Sequence, residues 1–421
     1  MRAIGERVRT GKKRLDLEIK QRQGRRYVAS HAPLTWFPFS ELADTSWSLV
    51  CLRPEPAART HVSLLLPALG PDALYAGVRT ALATAAQVAL IRDLPIRVIS
   101  YGSIPTASDK SWLTRFLAEE FGYSRAPVEL LSGWSLRDME VSTREIWIGT
   151  YWTTAHALQV AANLGVVRAD QVLYLVQDYE PDFFPGSTES ALAQSTYHAG
   201  FKCIINSTPV QRALRTHEGI DVPDHLVFRP ELDLGRLRRT SDRRPQRAPR
   251  RVGFYGRPSK PRNSFALGIA ALRHTAGLAE SAGIDLQFVS MGEPHAPIRL
   301  AEDAELSAVG KLSWESYFDA LSEIPVLLSL QQSPHPSHPP LEAVASGGFA
   351  VTNDVDQTRF GLSSRLRAVR NDPIELGEAI FEAVIDTSAY VNDGVDMGFM
   401  QGLGGEFSES IAAAAGELGL S

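Results

Sequence analysis

The feature that most constrains the fold is an alternation of short apolar runs with helical segments, which occurs twice along the chain. The first apolar run, His61–Pro67, reads HVSLLLP and is followed by a helical pattern that reaches about Ile91. Almost wholly apolar runs are typical of strands buried on both faces of a parallel sheet. Strands that alternate with helices in this way predict βαβ units and a doubly wound α/β fold.

An arginine-rich segment separates the two series of strands and helices. Leu234–Arg251 carries eight arginines, two prolines and few apolar residues. Such a composition is typical of a solvated linker. It lacks the interleaved aromatic residues of a nucleic-acid-binding patch. We therefore predict a basic N-terminal arm over 1–30, a Rossmann-like domain over 31–233, an Arg-rich linker over 234–250, a second Rossmann-like domain over 251–400 and a C-terminal helix over 401–421.

Composition is that of a globular protein and excludes several other classes. The 421 residues are 44% hydrophobic and 22% charged, which predicts two folded domains. A net charge of −5 argues against a nucleic-acid partner. The two cysteines, Cys51 and Cys203, lie in apolar runs, which favours free thiols in a reducing compartment. With no signal peptide and no apolar run long enough to span a bilayer, we expect a cytoplasmic protein.

The basic arm leaves two hypotheses open. Residues 2–26 carry ten lysines and arginines and few acidic residues. A solvated arm is one interpretation. The other is peripheral contact with anionic lipid at the inner face of the membrane. Nothing in the sequence indicates an oligomeric state.

A cationic turn opens the second half of the chain. In Gly253–Arg262 (GFYGRPSKPR) a strand ends at a glycine, and Arg257, Lys260 and Arg262 follow. Asn263 is the expected N-cap of the next helix. Cations beside a helix N-terminus predict a diphosphate site. The alternative is an ordinary basic turn on the surface.

A loop rich in carboxylates and aromatic residues follows the apolar run Val172–Gln177. It contains Asp178, Tyr179 and Glu180 within the sequence QDYEPDFFPGS. In α/β proteins, ligands bind at the carboxyl ends of the strands. Carboxylates meet sugar hydroxyls, and aromatic rings meet the apolar face of a sugar, so a sugar site is one hypothesis. A divalent metal site and a packed turn with solvated acids remain alternatives.

Two weaker signals lie in the second half. Lys311 follows Gly310 at a strand-to-helix junction, where a phosphate contact and a solvated lysine are both compatible with the pattern. Asp354 and Asp356 form an Asp-x-Asp triplet after an apolar strand. This triplet suits either a magnesium ion held with a nucleotide sugar or a solvated turn.

The stretch Ser329–Asn353 reads as strand, proline-rich loop, short helix and strand. His335 and Ser337 lie in the loop, and Glu342 lies in the first turn of the helix. A carboxylate and free N–H groups at a helix N-terminus suit a polyol and a phosphate together. The alternative is a plain strand-to-helix turn with incidental histidines.

These stretches together resemble a known enzyme family. The second-half motifs GRPSKPR and PPLEAVASGGFAVTN are similar to those of retaining glycosyltransferases of family 4. The closer resemblance is to rhamnosyltransferases of bacterial cell-surface glycan synthesis, and it is carried within Val172–Asn353 by QDYEPDFF, FYGRPSKPRN, GKLSWESY and SPHPSHPPLEAVASGG. It implies the GT-B architecture, in which two Rossmann-like domains face a cleft. It also implies that the C-terminal helix crosses back to the first domain.

The resemblance implies roles for individual residues. Arg257 matches the arginine of the family's G-R-x4-K pattern and Arg262 stands at its lysine, so both would clamp the donor diphosphate. Glu342 matches the second glutamate of the E-x7-E motif, which binds the ribose. Pro334 replaces the first glutamate, so sugar contacts would pass to His335 or Ser337. The remaining donor-binding positions are Gly256, Lys311, Pro340, Leu341 and Ala343, and the acceptor-binding positions are Gly70, Asp178, Tyr179 and Glu180.

The activity implied by the resemblance is a retaining transfer of a sugar. The expected donor is dTDP-L-rhamnose, and the expected acceptor is a hydroxyl of a glycan or lipid-linked glycan. The mechanism would need neither a metal nor another cofactor. Two alternatives stay open: a nucleotide-sugar epimerase of the same fold, and a non-catalytic glycan-binding or scaffold protein. The missing first glutamate favours the scaffold, whereas the retained Arg257, Arg262 and Glu342 oppose it.

Overall fold

The computed structural model describes residues 39–70, 76–102, 104–125, 128–245, 248–387 and 394–419, with the single positions 19 and 22. The predicted basic arm, residues 1–30, therefore lies outside the described residues except at those two positions. Within the described ranges, no helix is both long enough and apolar enough to cross a bilayer.

The first domain is built on a parallel sheet in the order β4-β3-β2-β6-β7-β8-β9. A separate parallel pair joins β1 to β5. Strands β2, β3, β6 and β7 are buried along their whole length, as their apolar runs predict. The strands are β1 Arg53–Glu55, β2 Val62–Leu66, β3 Ile96–Ser100, β4 Glu129–Ser132, β5 Glu140–Ser142, β6 Ile146–Gly149, β7 Val172–Val176, β8 Lys202–Asn206 and β9 Val227–Phe228.

Helices cover this first sheet, and some of them are capped by a side chain or a glycine. One of them begins after Thr106, whose side chain accepts from Asp109 N–H in a capping box, and stops at Gly122 with φ of 68°. The helices are α1 Phe39–Val50, α2 Ala76–Arg92, α3 Ala107–Phe121, α4 Trp152–Asn163, α5 Thr188–Thr196 and α6 Thr208–Ala213, which continues into a π-helical turn, Leu214–Glu218.

The second domain repeats the design in the order β12-β13-β11-β10-β14-β15-β16, with only the edge strand β12 antiparallel among the described strands. Its strands are β10 Arg251–Gly256, β11 Gln287–Gly292, β12 Ile298–Arg299, β13 Glu305–Gly310, β14 Val326–Leu328, β15 Phe349–Asn353 and β16 Leu366–Val369. The later helices are α7 Leu234–Arg243, α8 Phe265–Ser281, α9 Trp314–Ser322, α10 His338–Ala345, α11 Pro373–Thr387 and α12 Phe407–Glu417. Two doubly wound α/β domains are thus confirmed.

The segment predicted as an Arg-rich linker, 234–250, is instead partly helical and packed. Leu237 on α7 is fully buried, and Thr240 Oγ1 donates to the carbonyl of Phe318 on α9 at 3.2 Å. Arg244 is buried as well and donates to Ile324 O at 2.9 Å and Ser346 O at 2.8 Å. Composition alone misleads here, because the few apolar residues recur at helical spacing and carbonyls satisfy the buried guanidinium.

The last helix, α12, packs on the first domain. Ile411 is fully buried in the first domain's core, and the ring of Phe407 lies edge-on to Phe228 at 5.0 Å. Lys202 Nζ donates to Glu417 at 2.5 Å. The second domain is therefore inserted between β9 and α12, and two chain segments join the domains.

Candidate functional site

The carboxyl ends of β14 and β15 support the loop that follows β14. Gln331 N–H donates to Asn353 Oδ1 at 2.8 Å, and Asn353 Nδ2 donates back to Gln331 O at 3.0 Å. Residues 331–337 then connect this point to α10. They are called the donor loop from here on, after the role that the sequence resemblance predicts for them. The exchange of two hydrogen bonds fixes where the loop leaves the sheet.

A buried arginine organises the backbone of the donor loop. Arg359 is fully buried, and its guanidinium donates to the carbonyls of Gln331 at 3.1 Å, Ser333, and His335 at 3.0 Å. Burial lowers the pKa of Arg359 to about 10, which leaves it a cation at neutral pH. The irregular loop thus obtains the hydrogen bonds that a strand or helix would otherwise supply.

His335 presents an unsatisfied donor on this loop. Its Nδ1 accepts from Ser337 N–H at 3.0 Å, so the proton of the neutral ring lies on Nε2. Nε2 is buried and has no hydrogen-bond partner among the described residues. Burial lowers the pKa of His335 to about 3, and the charges of Arg359 and Arg262 act in the same direction. The neutral ring therefore presents a buried N–H donor that can bind an acceptor of a ligand.

The N-terminus of α10 differs from that of most helices in its backbone conformation and in its number of N–H donors. Ser337 precedes the helix with φ of 66°, a left-handed conformation that is rare for serine. The helix begins at His338, and Pro339 and Pro340 have no N–H, so its first turn offers fewer donors than most helices do. Pro340, Leu341 and Ala343, all predicted at the donor, are buried. They shape the site through backbone and packing.

Glu342 is held with one oxygen occupied. Tyr317 OH donates to its Oε2 at 2.8 Å, while Oε1 lies 4.0 Å from His338 Nδ1. Burial raises the pKa of Glu342 to about 7; the hydrogen bond from Tyr317 opposes this rise and the charge of Asp233 adds to it. A buried carboxylate whose second oxygen has no hydrogen bond within the described ranges suits a hydroxyl ligand. Sequence reasoning missed Tyr317, although the quoted motif GKLSWESY contains it.

Gly256 and Arg257 lie at the end of β10. Gly256 pairs with Gly292 of β11, and a side chain on Gly292 would approach Gly256 O to 2.7 Å. Arg257 follows, with its Nε 3.5 Å from Glu293 Oε1 and its side chain about a quarter exposed. Lys311 is exposed just beyond β13, at the same edge of the sheet.

Arg262 lies where the two domains meet. Its guanidinium carbon is 4.0 Å from the ring centroid of Phe183 in the first domain. Its Nε is buried without a partner in the described part of the chain. The predicted cap Asn263 does not cap α8: Ser264 precedes the helix, and Asn263 Nδ2 donates instead to Leu330 O at 3.0 Å. This bond ties the cationic turn to the end of β14.

The predicted acceptor residues of the first domain are turned inward. Asp178 is 8% exposed; its Oδ2 accepts from Gln331 Nε2 and Ser333 Oγ, both at 2.9 Å. Glu180 is 4% exposed and accepts from Trp152 N–H at the start of α4 at 2.5 Å. These carboxylates are therefore satisfied inside the protein, because the loop folds back onto α4 and onto the second domain.

Of the other two predicted acceptor residues, one is buried and the other has open space around it. Tyr179 is also buried, and its hydroxyl donates to Glu218 Oε1 at 2.5 Å. Gly70 has open space around its Cα and adjoins residues 71–75, which lie outside the described part of the chain. Neither residue has a ligand-facing contact that tests the predicted acceptor role.

Both acids of the Asp-x-Asp triplet have partners within the protein. Asp354 Oδ1 accepts from Arg359 N–H at 3.0 Å. Asp356 pairs with His217 of the first domain at 3.0 Å. Over the residues that the structure describes, no cluster of three His, Cys, Asp or Glu side chains is arranged to hold a metal ion.

Comparison with known proteins identifies the family that both domains match. Residues 61–208 match the domain family described as WsaF, N-terminal domain, and residues 250–381 match WsaF, C-terminal domain. The O-antigen biosynthesis protein RfbC of Myxococcus xanthus is 35% identical over 234 residues. That match covers 55% of this chain and 17% of the relative, so the chain spans a small part of that relative's length.

Solved structures share the fold at low identity. Sucrose-phosphate synthase from Thermosynechococcus elongatus has a TM-score of 0.50 and 12% identity, over 86% of this chain and 95% of that one. The apo structure of OtsA has a TM-score of 0.56 and 8% identity, over 86% and 100% of the two chains. The two WsaF matches together span about two thirds of the sequence. The chain therefore belongs to the WsaF family and has the GT-B fold of the glycosyltransferases.

Proposed function

We propose that the protein is a retaining glycosyltransferase that moves L-rhamnose from dTDP-L-rhamnose to a glycan or lipid-linked glycan hydroxyl. The observation that carries this proposal is the grouping of Arg262, His335 and Glu342 around one strand-to-helix loop of a WsaF-family chain. A cation, a neutral donor and a carboxylate are the groups that a diphosphate, a sugar and a ribose require.

The nucleotide would bind along the carboxyl edge of the second sheet. Glu342 Oε1, left free by Tyr317, would accept from the ribose hydroxyls. Arg257 and Arg262 would contact the diphosphate, with Arg257 leaving its loose pairing to Glu293. Lys311, at the end of β13, would add a further charge. His335 Nε2–H would donate to a sugar hydroxyl, because it is buried and unpartnered among the described residues.

The chemical step would rely on charge stabilisation. As the bond between sugar and diphosphate breaks, negative charge grows on the diphosphate, and fixed arginines stabilise that charge more strongly than mobile water does. The acceptor hydroxyl would attack from the face that the diphosphate leaves and pass its proton to a diphosphate oxygen. Configuration is then retained with no metal or protein carboxylate required for the proton transfer.

The biological setting follows from the relatives by analogy. One relative is named for O-antigen biosynthesis, and we propose that this chain likewise acts in cell-surface polysaccharide synthesis. It would act in the cytoplasm, at the inner face of the membrane if the basic arm binds anionic lipid. The acceptor would enter the cleft from the side of the first sheet, near Gly70.

A donor screen tests the proposal. The purified full chain is incubated with single nucleotide sugars, with and without a rhamnose-bearing acceptor oligosaccharide, and the products are weighed by mass spectrometry. We expect an acceptor mass increase of one deoxyhexose with dTDP-L-rhamnose. Conversion of a donor in the absence of acceptor would indicate an epimerase. No conversion of any donor, with no thermal shift from dTDP, UDP or GDP, would indicate a scaffold.

A further inference from the structure

The donor loop is bound from two directions by two different domains. From within the second domain, Arg359 donates to three carbonyls of the loop. From the first domain, Asp178 accepts from the side chains of Gln331 and Ser333, both at 2.9 Å. Ser333 is fully buried, and Gln331 is 9% exposed, so these contacts are shielded from water.

The Asp178 contact belongs to a longer seam between the domains. Gln331 Nε2 also donates to Ser333 Oγ at 2.7 Å, which ties the two loop side chains together. Gln332 N–H donates to Arg262 O at 2.7 Å, and the Arg262 side chain lies over Phe183 of the first domain. The loop and the cationic turn therefore meet the first domain as one unit.

We propose that Asp178 is a positioning residue that completes the sugar-binding loop when the two domains close. The role rests on the proposed function, because it assumes that the donor loop meets the transferred sugar. With the domains closed, Asp178 fixes Ser333 and Gln331, and the His335 donor two residues further on is held in one place. With the domains open, water replaces Asp178, and the loop keeps only its supports from the second domain, such as Arg359 and Asn353.

This arrangement would couple assembly of the sugar site to exclusion of water. A sugar donor bound to an open enzyme would meet a loosened loop and react slowly with water. Closure would bring the acceptor side and the ordered loop together in one step. The role differs from the predicted acceptor contact, since Asp178 acts on the donor side through Ser333.

The decisive experiment is a double-mutant cycle with Asp178→Ala, Ser333→Ala and the double variant. We expect each single variant to lower kcat/KM for the donor by about 10- to 100-fold with an acceptor KM within about twofold. The double variant should lose little more than Asp178→Ala alone. Asp221→Asn is the matched control, because Asp221 is an exposed carboxylate of the same domain, paired with Arg215.

Small-angle scattering of the unliganded proteins gives a readout that does not depend on turnover. Asp178→Ala should have a larger radius of gyration than wild type and Asp221→Asn, because the closed seam is lost. If the wild type uses no nucleotide sugar, the proposed function fails. Scattering then still tests whether Asp178 holds the two domains together. The proposal would be overturned if Asp178→Ala had the kinetics and scattering of the wild type. Additive losses in the double variant would also overturn it, and so would a change confined to acceptor KM. If Asp178→Ala does not fold, Ser333→Ala and Asp178→Asn take its place in both measurements.

Discussion

The carboxyl edges of the two sheets carry similar residues in opposite states. After β7, Asp178 and Glu180 are buried and accept hydrogen bonds from other protein groups. After β14, His335 has a buried nitrogen with no partner among the described residues, and Glu342 has a second oxygen only near His338. The loop after β7 is satisfied internally, whereas the loop after β14 retains a buried donor with no partner among the described residues.

The difference shows how a candidate ligand contact is distinguished from a structural polar residue. Burying a polar group without a partner costs about 1–3 kcal/mol, so a folded chain seldom retains one without a use. Residue type does not separate the two edges, since acids follow buried strands at both. The loops after β7 and β14 differ in their hydrogen bonding: in the described part of the chain, no buried side-chain atom of the loop after β7 lacks a partner, whereas His335 Nε2 in the loop after β14 does.

The largest expected effect comes from removing charge at the donor edge. Arg262→Ala should lower kcat by about 10²- to 10³-fold, because the leaving diphosphate loses a fixed cation. Steady-state assays with saturating donor measure the loss, and circular dichroism checks the fold. Arg299→Ala serves as control, since Arg299 is an exposed arginine of the same domain that binds only carbonyls in the described contacts. Equal activity in both variants would show that Arg262 is not part of the donor site.

Glu342 should give the donor edge a pH dependence. Because burial raises its pKa to about 7, the carboxylate that we propose accepts ribose hydroxyls forms only as pH rises through 7. We expect kcat/KM for the donor to be about tenfold lower at pH 6 than at pH 8. His335 and His338, each with a pKa lowered by burial to about 3, stay neutral over this range and do not contribute.

Two substitutions sharpen that prediction. Glu342→Gln should flatten the pH profile and weaken donor binding by about 10- to 100-fold. Tyr317→Phe removes a hydrogen bond that lowers the pKa of Glu342, so the midpoint should move above 7. An unchanged midpoint in Tyr317→Phe would show that Glu342 is not the titrating group.

His335 should have a smaller effect. His335→Ala removes one neutral donor to the sugar, and we expect a loss of about tenfold in kcat/KM for the sugar donor with nearly unchanged dTDP affinity. Calorimetry with dTDP separates the two quantities. His198→Ala is the control, since His198 is exposed and pairs with Glu218 in the first domain. Equal losses for dTDP and for the sugar donor would place His335 away from the sugar.

The smallest effect is expected at Glu180, which is satisfied inside the first domain. Burial raises the pKa of Glu180 well above its ordinary range and favours the neutral acid, which glutamine imitates. Glu180→Gln should therefore leave kcat/KM within about twofold, whereas Glu180→Ala should cost about 1–3 kcal/mol of unfolding free energy. Chemical denaturation measures the second quantity. A large activity loss in a stable Glu180→Gln protein would mean that Glu180 itself contacts substrate.

Local pattern accounts for much of the fold. Strands such as β2, β7 and β15 lie within one or two residues of their apolar runs, because burial on both faces demands such runs. The charged helix α7 was not predicted, since its few inward residues are hidden among polar ones. The half-exposed strand β13 was predicted only through the strand-to-helix junction at Lys311. Glu342 was predicted from its place near the start of a helix and from the family resemblance. Its partner Tyr317 was not, and neither was the pairing of Asp178 with Ser333, which lies 155 residues away, because only tertiary packing creates these contacts.

The central claim is that the carboxyl edge of the second sheet binds the nucleotide donor. A crystal structure of the full chain with dTDP tests it most directly. We predict ribose hydroxyls within hydrogen-bond distance of Glu342 Oε1, and the diphosphate against Arg257 and Arg262. A nucleotide bound instead at the carboxyl edge of the first sheet, beside Asp178 and Glu180, would contradict the account.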